Sequence, residues 1–545
     1  MELPIELKEQ VLCQVTLGGG YTSACKDIGL VSGQWENVTI RHVWKSFYMY
    51  TSELISAKST NENFGKLVRS VVLHIAPDEP IEDGQLPYKL QQCLDLVWSN
   101  ARHLATNIPA GFPLPMLVSG IGNSFPILQR LTIKQSHKDL GNTVGLILEN
   151  LPKLCELSIY NISPTGSVMI EDEYFVETDN QTVESLKKYK NRLTTLKLVG
   201  WVATIELLNT IKVYQPYIEE ITMSLHAKHM RSRTLLSNPS ITKIECHTMY
   251  LSSQNDSYEF DSKKFPKIQA LSIETIVIDN IIRYTIPNTI VPTFTSPLDH
   301  LKYLTLPYIS NSLAAMIGSY CKNIVYLKCA NDCFYTSPTS IPTSPTSTNS
   351  SGGIKDGSNN SNSSHYNSFT LDHTGFLAIV ENLPVLQFLT LGTIGLPPRH
   401  RLTESIKTLG QDIRNWKVVS PLSTINIGRL NISLKNLGYF MNHFMSARSH
   451  SIRILEDEDI SSESVDDTFE HWKSYENIVD LEVWNRHSDL NFSFIERLLS
   501  HFPNLKRIYW LGQPLTAEVY QSIKNKSAYV NFVGHDTPVD GAFII

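Results

Sequence analysis

"FPNLKRIYW", residues 502–510, sets a proline, an aliphatic, two polar residues, a second aliphatic and a bulky apolar side chain in a fixed order. The phrase recurs as "FPILQRLTI" (125–133), "LPKLCELSI" (151–159), "FPKIQALSI" (265–273) and "LPVLQFLTL" (383–391), with looser copies such as "KNRLTTLKL", "QPYIEEITM", "LDHLKYLTL", "CKNIVYLKC" and "ENIVDLEVW". The first aliphatics are Leu128, Leu154, Leu193, Ile218, Ile241, Ile268, Leu301, Ile324, Leu386, Ile478 and Leu505. Most steps between them are 23 to 27 residues. The last two apolar positions of each copy alternate as in a short strand with one face buried, and the earlier aliphatic fixes the turn into it.

Before several copies stands a stretch with helical spacing: "NTVGLILENLP" (142–152), "IELLNTIKVYQP" (205–216), "NSLAAMIGSYCK" (311–322) and "NFSFIERLLSHFP" (491–503). Proline ends such a helix and turns the chain back towards the strand. A helix–strand unit of this length does not bury its apolar side alone, so neighbours must stack. The copies and their period resemble leucine-rich repeats over residues 65–545. The resemblance implies an α/β solenoid with parallel strands on a concave face and helices outside. The asparagine that the family places after its strand is largely missing here.

Three of the longer steps are informative. The 39 residues from Leu154 to Leu193 span an acidic stretch, "IEDEYFVETDNQ" (170–181), which reads as a solvated loop. Residues 336–368, rich in Ser, Thr, Pro, Asn and Gly, bury too little apolar surface to order themselves. They read as a disordered surface insertion, ahead of the alternative of a regulatory loop phosphorylated at its Ser-Pro sites. Between Leu386 and Ile478 only weak copies occur, around "INIGRLNIS" (425–433) and "SIRILEDED" (451–459).

Residues 1–50 do not scan as repeats. Leu3-Pro4 followed by Leu7, Val11 and Leu12 reads as a proline near a helix start with apolar residues at helical spacing. "LGGGYTS" (17–23) interrupts it, and a second helix carries Cys25, Ile28, Val31 and Trp35, with Leu30 beside Val31. This order resembles an F-box, and with the repeats behind it the chain resembles F-box proteins with C-terminal leucine-rich repeats. Two departures are Gly18–Gly20, which lengthen the first loop, and Ala24-Cys25 where the family has an acidic residue and leucine. The resemblance implies a small all-α domain whose Leu3, Pro4, Leu7, Val11, Leu12, Leu30, Val31 and Trp35 meet the adaptor of a cullin-type ubiquitin ligase. It also implies repeats that hold a protein substrate. The alternative is a protein-interaction scaffold whose N-terminal helices only cap the solenoid.

Composition narrows the remaining classes. The 545 residues are 42% hydrophobic and 18% charged, with mean hydropathy of −0.13, which is a globular balance. A net charge of −6 lacks the basic footprint that binding phosphates demands, so nucleic acid is not an expected partner. No apolar run reaches the ~20 residues of a membrane helix, and "MELPIELKEQV" places acidic residues where a secretory signal is basic. No membrane partner and a cytoplasmic or nuclear location are expected. The eight cysteines form no Cys-x-x-Cys pair, which points to reduced, mostly buried thiols and to no metal or other cofactor. Neither a phosphate-binding glycine loop nor a hydrolase or metalloprotease motif occurs, so the chain reads as non-catalytic.

The informative positions are the residues just before the second aliphatic, which a solenoid presents side by side. They are Arg130, Glu156, Thr195, Glu220, Lys243, Ala270, Tyr303, Tyr326, Phe388, Asp480 and Arg507. Tyr303, Tyr326 and Phe388 fall in three consecutive copies and read either as a substrate-binding aromatic stripe or as cross-strand pairs that only stabilise the sheet.

Overall fold

The computed structural model describes residues 69–73, 88–95, 97–108, 114–135, 140–161, 176–178, 180–226, 238–251, 259–278, 293–307, 309–329, 373–394, 416–430, 434–454, 464–485, 487, 490–513, 515–526 and 531–534. The F-box-like segment, with Leu3, Pro4, Leu7, Val11, Leu12, Leu30, Val31 and Trp35, lies outside the described residues, as does the insertion 336–368. The chain divides into two compact units, Met1–His247 and Thr248–Ile545.

In the first unit the strands β1 (Ser70–Leu73), β2 (His103–Ile108), β3 (Arg130–Gln135), β4 (Glu156–Asn161), β6 (Thr195–Val202) and β7 (Glu220–His226) pair in parallel in chain order. Helices Tyr88–Leu94, Leu114–Ser124, Leu140–Asn150, Asn180–Lys188 and Ile205–Tyr214 fill the connections. The unit ends within β8 (Lys243–Leu251). In the second unit β10 (Ala270–Ile278), β12 (Tyr303–Leu306), β13 (Tyr326–Cys329), β14 (Phe388–Ile394), β15 (Thr424–Leu430), β16 (Ser449–Ile454), β17 (Asp480–Asn485), β18 (Arg507–Gly512) and β19 (Asn531–Gly534) form a second parallel ladder. Both units are thus the α/β, parallel, solenoid-like arrangement that the repeats call for. Alternate strand residues such as Leu131 and Ile133, Leu304 and Leu306, and Leu481 and Val483 are fully buried.

The repeated phrase is a turn that the structure builds the same way each time. A buried residue opens the turn, at or just beyond a helix end in every copy but that of Phe265, two turn residues follow, and the first aliphatic donates its amide back across the turn. Leu128 bonds to the carbonyl of Phe125 (3.1 Å), Leu154 to Leu151 (3.1 Å), Ile268 to Phe265 (3.3 Å), Leu386 to Leu383 (3.3 Å) and Leu505 to Phe502 (3.2 Å). In all five the residue after the acceptor is proline, whose ring presets φ for the second position of a turn. The next two amides then converge on one carbonyl of the preceding coil, as Val325 and Tyr326 do on Lys302 (2.9 and 3.0 Å). Where the turn ends in asparagine, its side chain ties adjacent coils together: Asn323 donates to Asp299 O (2.7 Å), Asn477 to Met445 O (3.0 Å) and Asn504 to Glu476 O (2.9 Å). Thr204, Ser310 and Asn491 cap three helices by accepting from the amides of Leu207, Leu313 and Phe494.

The acidic stretch 170–181 corrects the sequence reading. Residues 176–178 and 180–181 are structured: β5 (Val176–Glu177) pairs with Trp201 and Val202, Thr178 is buried, and a helix starts at Asn180. Gly200, at φ 93°, lets β6 extend past Asn161, since a Cβ there would stand 2.7 Å from the asparagine's own. The long step is closed by Gln215, fully buried, whose Oε1 accepts from the amides of Arg192 and Leu193 (both 3.1 Å). Its Nε2 donates to Leu186 O and Tyr189 O (2.8 and 2.9 Å). Every hydrogen-bonding group of the amide is therefore used, which is the condition for burying it without penalty.

Residues 336–368 leave from β13 and return before the helix His373–Val380. On their composition, removing them with a short Gly-Ser joint is expected to leave the melting temperature within about 2 °C by calorimetry. A drop of several degrees would show that they pack on the fold.

Candidate functional site

The eleven positions read from the sequence open eleven strands, and backbone pairing places them in two in-register rows. In the first unit the row runs Ser70, His103, Arg130, Glu156, Thr195 and Glu220, with Lys243 opening β8. In the second it runs Ala270, Tyr303, Tyr326, Phe388, Thr424, Ser449, Asp480, Arg507 and Asn531. Sequence reasoning missed Ser70, His103, Thr424, Ser449 and Asn531.

The first unit's row is charged, and its charges answer one another. Arg130 holds Glu156 through two contacts, Nε to Oε2 at 2.5 Å and Nη2 to Oε1 at 2.8 Å. Lys197 stands 3.7 Å from Glu220 and 3.8 Å from Glu245, and Lys243 stands 2.7 Å from Glu245. Burial alone would raise the Glu245 carboxyl, but the hydrogen bonds from Lys243 and Thr222 and the charge of Lys197 outweigh it and hold the group below its usual range. Burial, reinforced by Arg130, lowers His103 from 6.5. Exposed pairs of this kind contribute at most about 1 kcal/mol each. A face that neutralises itself in this way offers little unspent charge to a ligand.

The second unit's row is different. Tyr303 is 52% exposed and Phe388 39%, with Tyr326 between them half-buried. The rings of Tyr303 and Tyr326 lie 6.4 Å apart at 42°, those of Tyr326 and Phe388 6.2 Å apart at 40°. The structure thus brings together the three residues proposed from the sequence as one tilted ladder. Both sequence readings describe part of this geometry: the rings pair across strands, and they still present apolar area to solvent. Ala270 and Thr424 flank them with small side chains, so the rings stand above both neighbours in the row. Two residues further along the same strands, on the same face, a second row carries Ser272, Thr305, Lys328 and Thr390. Beyond Ser449, Asp480 and Arg507 neutralise each other through paired bonds of 2.6 and 2.9 Å.

Among the described residues no group of His, Cys, Asp and Glu side chains is placed to hold a metal ion. Cys93, Cys246, Cys321 and Cys329 are buried and Cys155 partly so. Burial pushes the Cys321 and Cys329 thiols far up, away from the thiolate a nucleophile needs. No helix among the described residues is long and apolar enough to cross a membrane.

No protein-family model matches this chain, and no curated protein matches it. Among solved structures, the crystal structure of the Rad7 and Elc1 complex in yeast aligns with 97% of this chain and 93% of that chain, at 10% identity and a TM-score of 0.33. A likeness at that level carries neither fold nor function.

Proposed function

We propose that the chain is a non-catalytic substrate receptor of a cullin-type ubiquitin ligase, in which residues 1–50 dock on the adaptor and the repeats hold the protein to be modified. The observation that carries the binding half is the Tyr303–Tyr326–Phe388 ladder, exposed at both ends, in a row whose other members are small, polar or mutually neutralised. Rigid aromatic side chains bring large apolar area to an interface with little rotamer freedom to lose, and such residues dominate interface energetics. The adaptor half is supported by the F-box-like order of Leu3, Pro4, Leu7, Val11, Leu12, Leu30, Val31 and Trp35 ahead of the repeats.

Replacing Leu3 and Pro4 with alanine tests the adaptor half. If these two residues form adaptor contacts, the change removes apolar contact area while costing the fold less than about 0.5 kcal/mol, as exposed substitutions do. Co-precipitation of the cullin adaptor with wild type and its loss from the double variant, at unchanged melting temperature, is the expected result. If wild type brings down no adaptor, the ligase role falls and the repeats stand as a protein-interaction scaffold capped by the N-terminal helices. If the double variant melts well below wild type, the two residues serve the fold.

A further inference from the structure

The ladder's dimensions and its surroundings select among protein partners. An extended chain places alternate side chains on one face and advances about 6.6–6.8 Å for every two residues. The two ring-to-ring spacings, 6.4 and 6.2 Å, nearly match that advance. A chain lying across β12, β13 and β14 can therefore set alternate side chains against adjacent rings, Tyr303 with Tyr326 and Tyr326 with Phe388. A helix repeats on one face only every three to four residues, about 5–6 Å apart along the axis, and its side chains curve away to both sides of a straight row.

The charge around the rings is one-sided. Across β12, β13 and β14 the ring row and the row beside it contain Tyr303, Tyr326, Phe388, Thr305, Lys328 and Thr390. One cation and no acid stand among them. Lys328 is exposed and sits two residues from the central ring, flanked in register by Thr305 and Thr390. The next acid by register is Glu274, two positions further along β10 and two strands away. The chain's net charge of −6 does not attract an acidic partner at long range. The attraction is local, since salt confines charge effects to about 8 Å at physiological ionic strength.

Resting on the partner-binding reading above, we propose that the ladder takes an extended acidic segment of a partner protein, with apolar side chains at alternate positions against the three rings and a carboxylate meeting Lys328. Backbone hydrogen bonds play no part in this mode, because the strands under the segment are already paired on both sides. Selectivity comes from spacing and from one charge.

The test is selection of a random dodecapeptide library displayed on phage against the immobilised full chain, run in parallel on wild type, on Lys328→Glu, on Lys328→Gln and on the variant with all three rings changed to alanine. Wild type is expected to enrich peptides with apolar residues at alternate positions and net negative charge. Lys328→Glu is expected to reverse the charge preference, weakening the best acidic peptide at least 10-fold by fluorescence anisotropy while keeping the alternation. Lys328→Gln should fall between, which guards against a folding defect in the charge reversal. Enrichment without alternation, an acidic preference that survives Lys328→Glu, or no enrichment at all overturns the proposal. If the ring variant also fails to capture cellular partners while the selected peptides lack alternation, the ladder still binds protein, and the extended acidic segment is what falls. If the ring variant keeps its cellular partners, both readings fall together.

Discussion

Changing Trp472 to alanine is expected to cost about 3–5 kcal/mol, as for other buried tryptophans, and to open the C-terminal repeats before the rest of the second unit. The indole is 7% exposed and packs edge-on against Phe469 (5.0 Å), Tyr475 (6.0 Å) and Phe502 (6.2 Å). Its Nε1 donates to Leu434 O at 2.8 Å, which binds the turn before β17 to the helix Leu434–Asn442. Gly438 on that helix exists to admit it: a Cβ there would stand 2.5 Å from Trp472 Cδ1, closer than any real contact. Tyr475, fully buried, completes the join with its hydroxyl 3.3 Å from Gly438 O and 3.1 Å from Asn442 Oδ1.

The two positions are thereby coupled, and the coupling makes the account testable. Gly438→Ala alone must push the indole and is expected to destabilise by about 1–3 kcal/mol, the usual cost of overpacking. In the Trp472→Ala background the same methyl enters the space the indole leaves. There Gly438→Ala is expected to be neutral or stabilising by up to about 1 kcal/mol, because alanine is the better helix former. Calorimetry of the four proteins gives the cycle, with limited proteolysis locating the opened segment. If Gly438→Ala costs the same in both backgrounds, the close approach is not what fixes glycine there.

The second large effect is on binding. Changing Tyr303, Tyr326 and Phe388 together to alanine is expected to reduce partner capture at least 100-fold, since buried aromatic anchors contribute about 2 kcal/mol or more each and every 1.4 kcal/mol is tenfold. The fold loses far less. Each of the two ring pairs contributes about 0.5–1.5 kcal/mol beyond its burial, and two of the rings are already substantially exposed. Unfolding of the triple variant would reverse this ordering and make the ladder a structural device.

Much of this face was legible in the sequence because the residue before the second aliphatic is fixed by strand alternation, so one register counted from the first aliphatic located eleven strand starts. Two of the positions that escaped, His103 and Ser449, follow slots where a small or polar residue replaces an aliphatic. Ala101 stands at the first aliphatic slot before β2. Before β16 the same slot holds Ala447 and the second holds His450, which is buried at 2%. Before β15 the first slot is Leu422, three residues ahead of Ile425, so the weak copy sought at 425–433 had its leading residue upstream. The acidic stretch failed for another reason. Val176 and Glu177 gain their order from Trp201 and Val202, far along the chain, and a local count of charges does not register such a pairing. Gln215 was invisible likewise, because a buried amide is recognised by its four partners and not by its neighbours in sequence.

On the proposed reading the chain has two separable docking faces, residues 1–50 for the adaptor and the aromatic ladder for a protein partner. Quantitative mass spectrometry of proteins co-purifying with tagged wild type, with Leu3→Ala/Pro4→Ala and with the triple ring variant measures this directly. The account predicts that the first variant loses the cullin adaptor and keeps the remaining partners, while the second keeps the adaptor and loses them. Two folded variants that lose the same proteins, or that lose none, would contradict it.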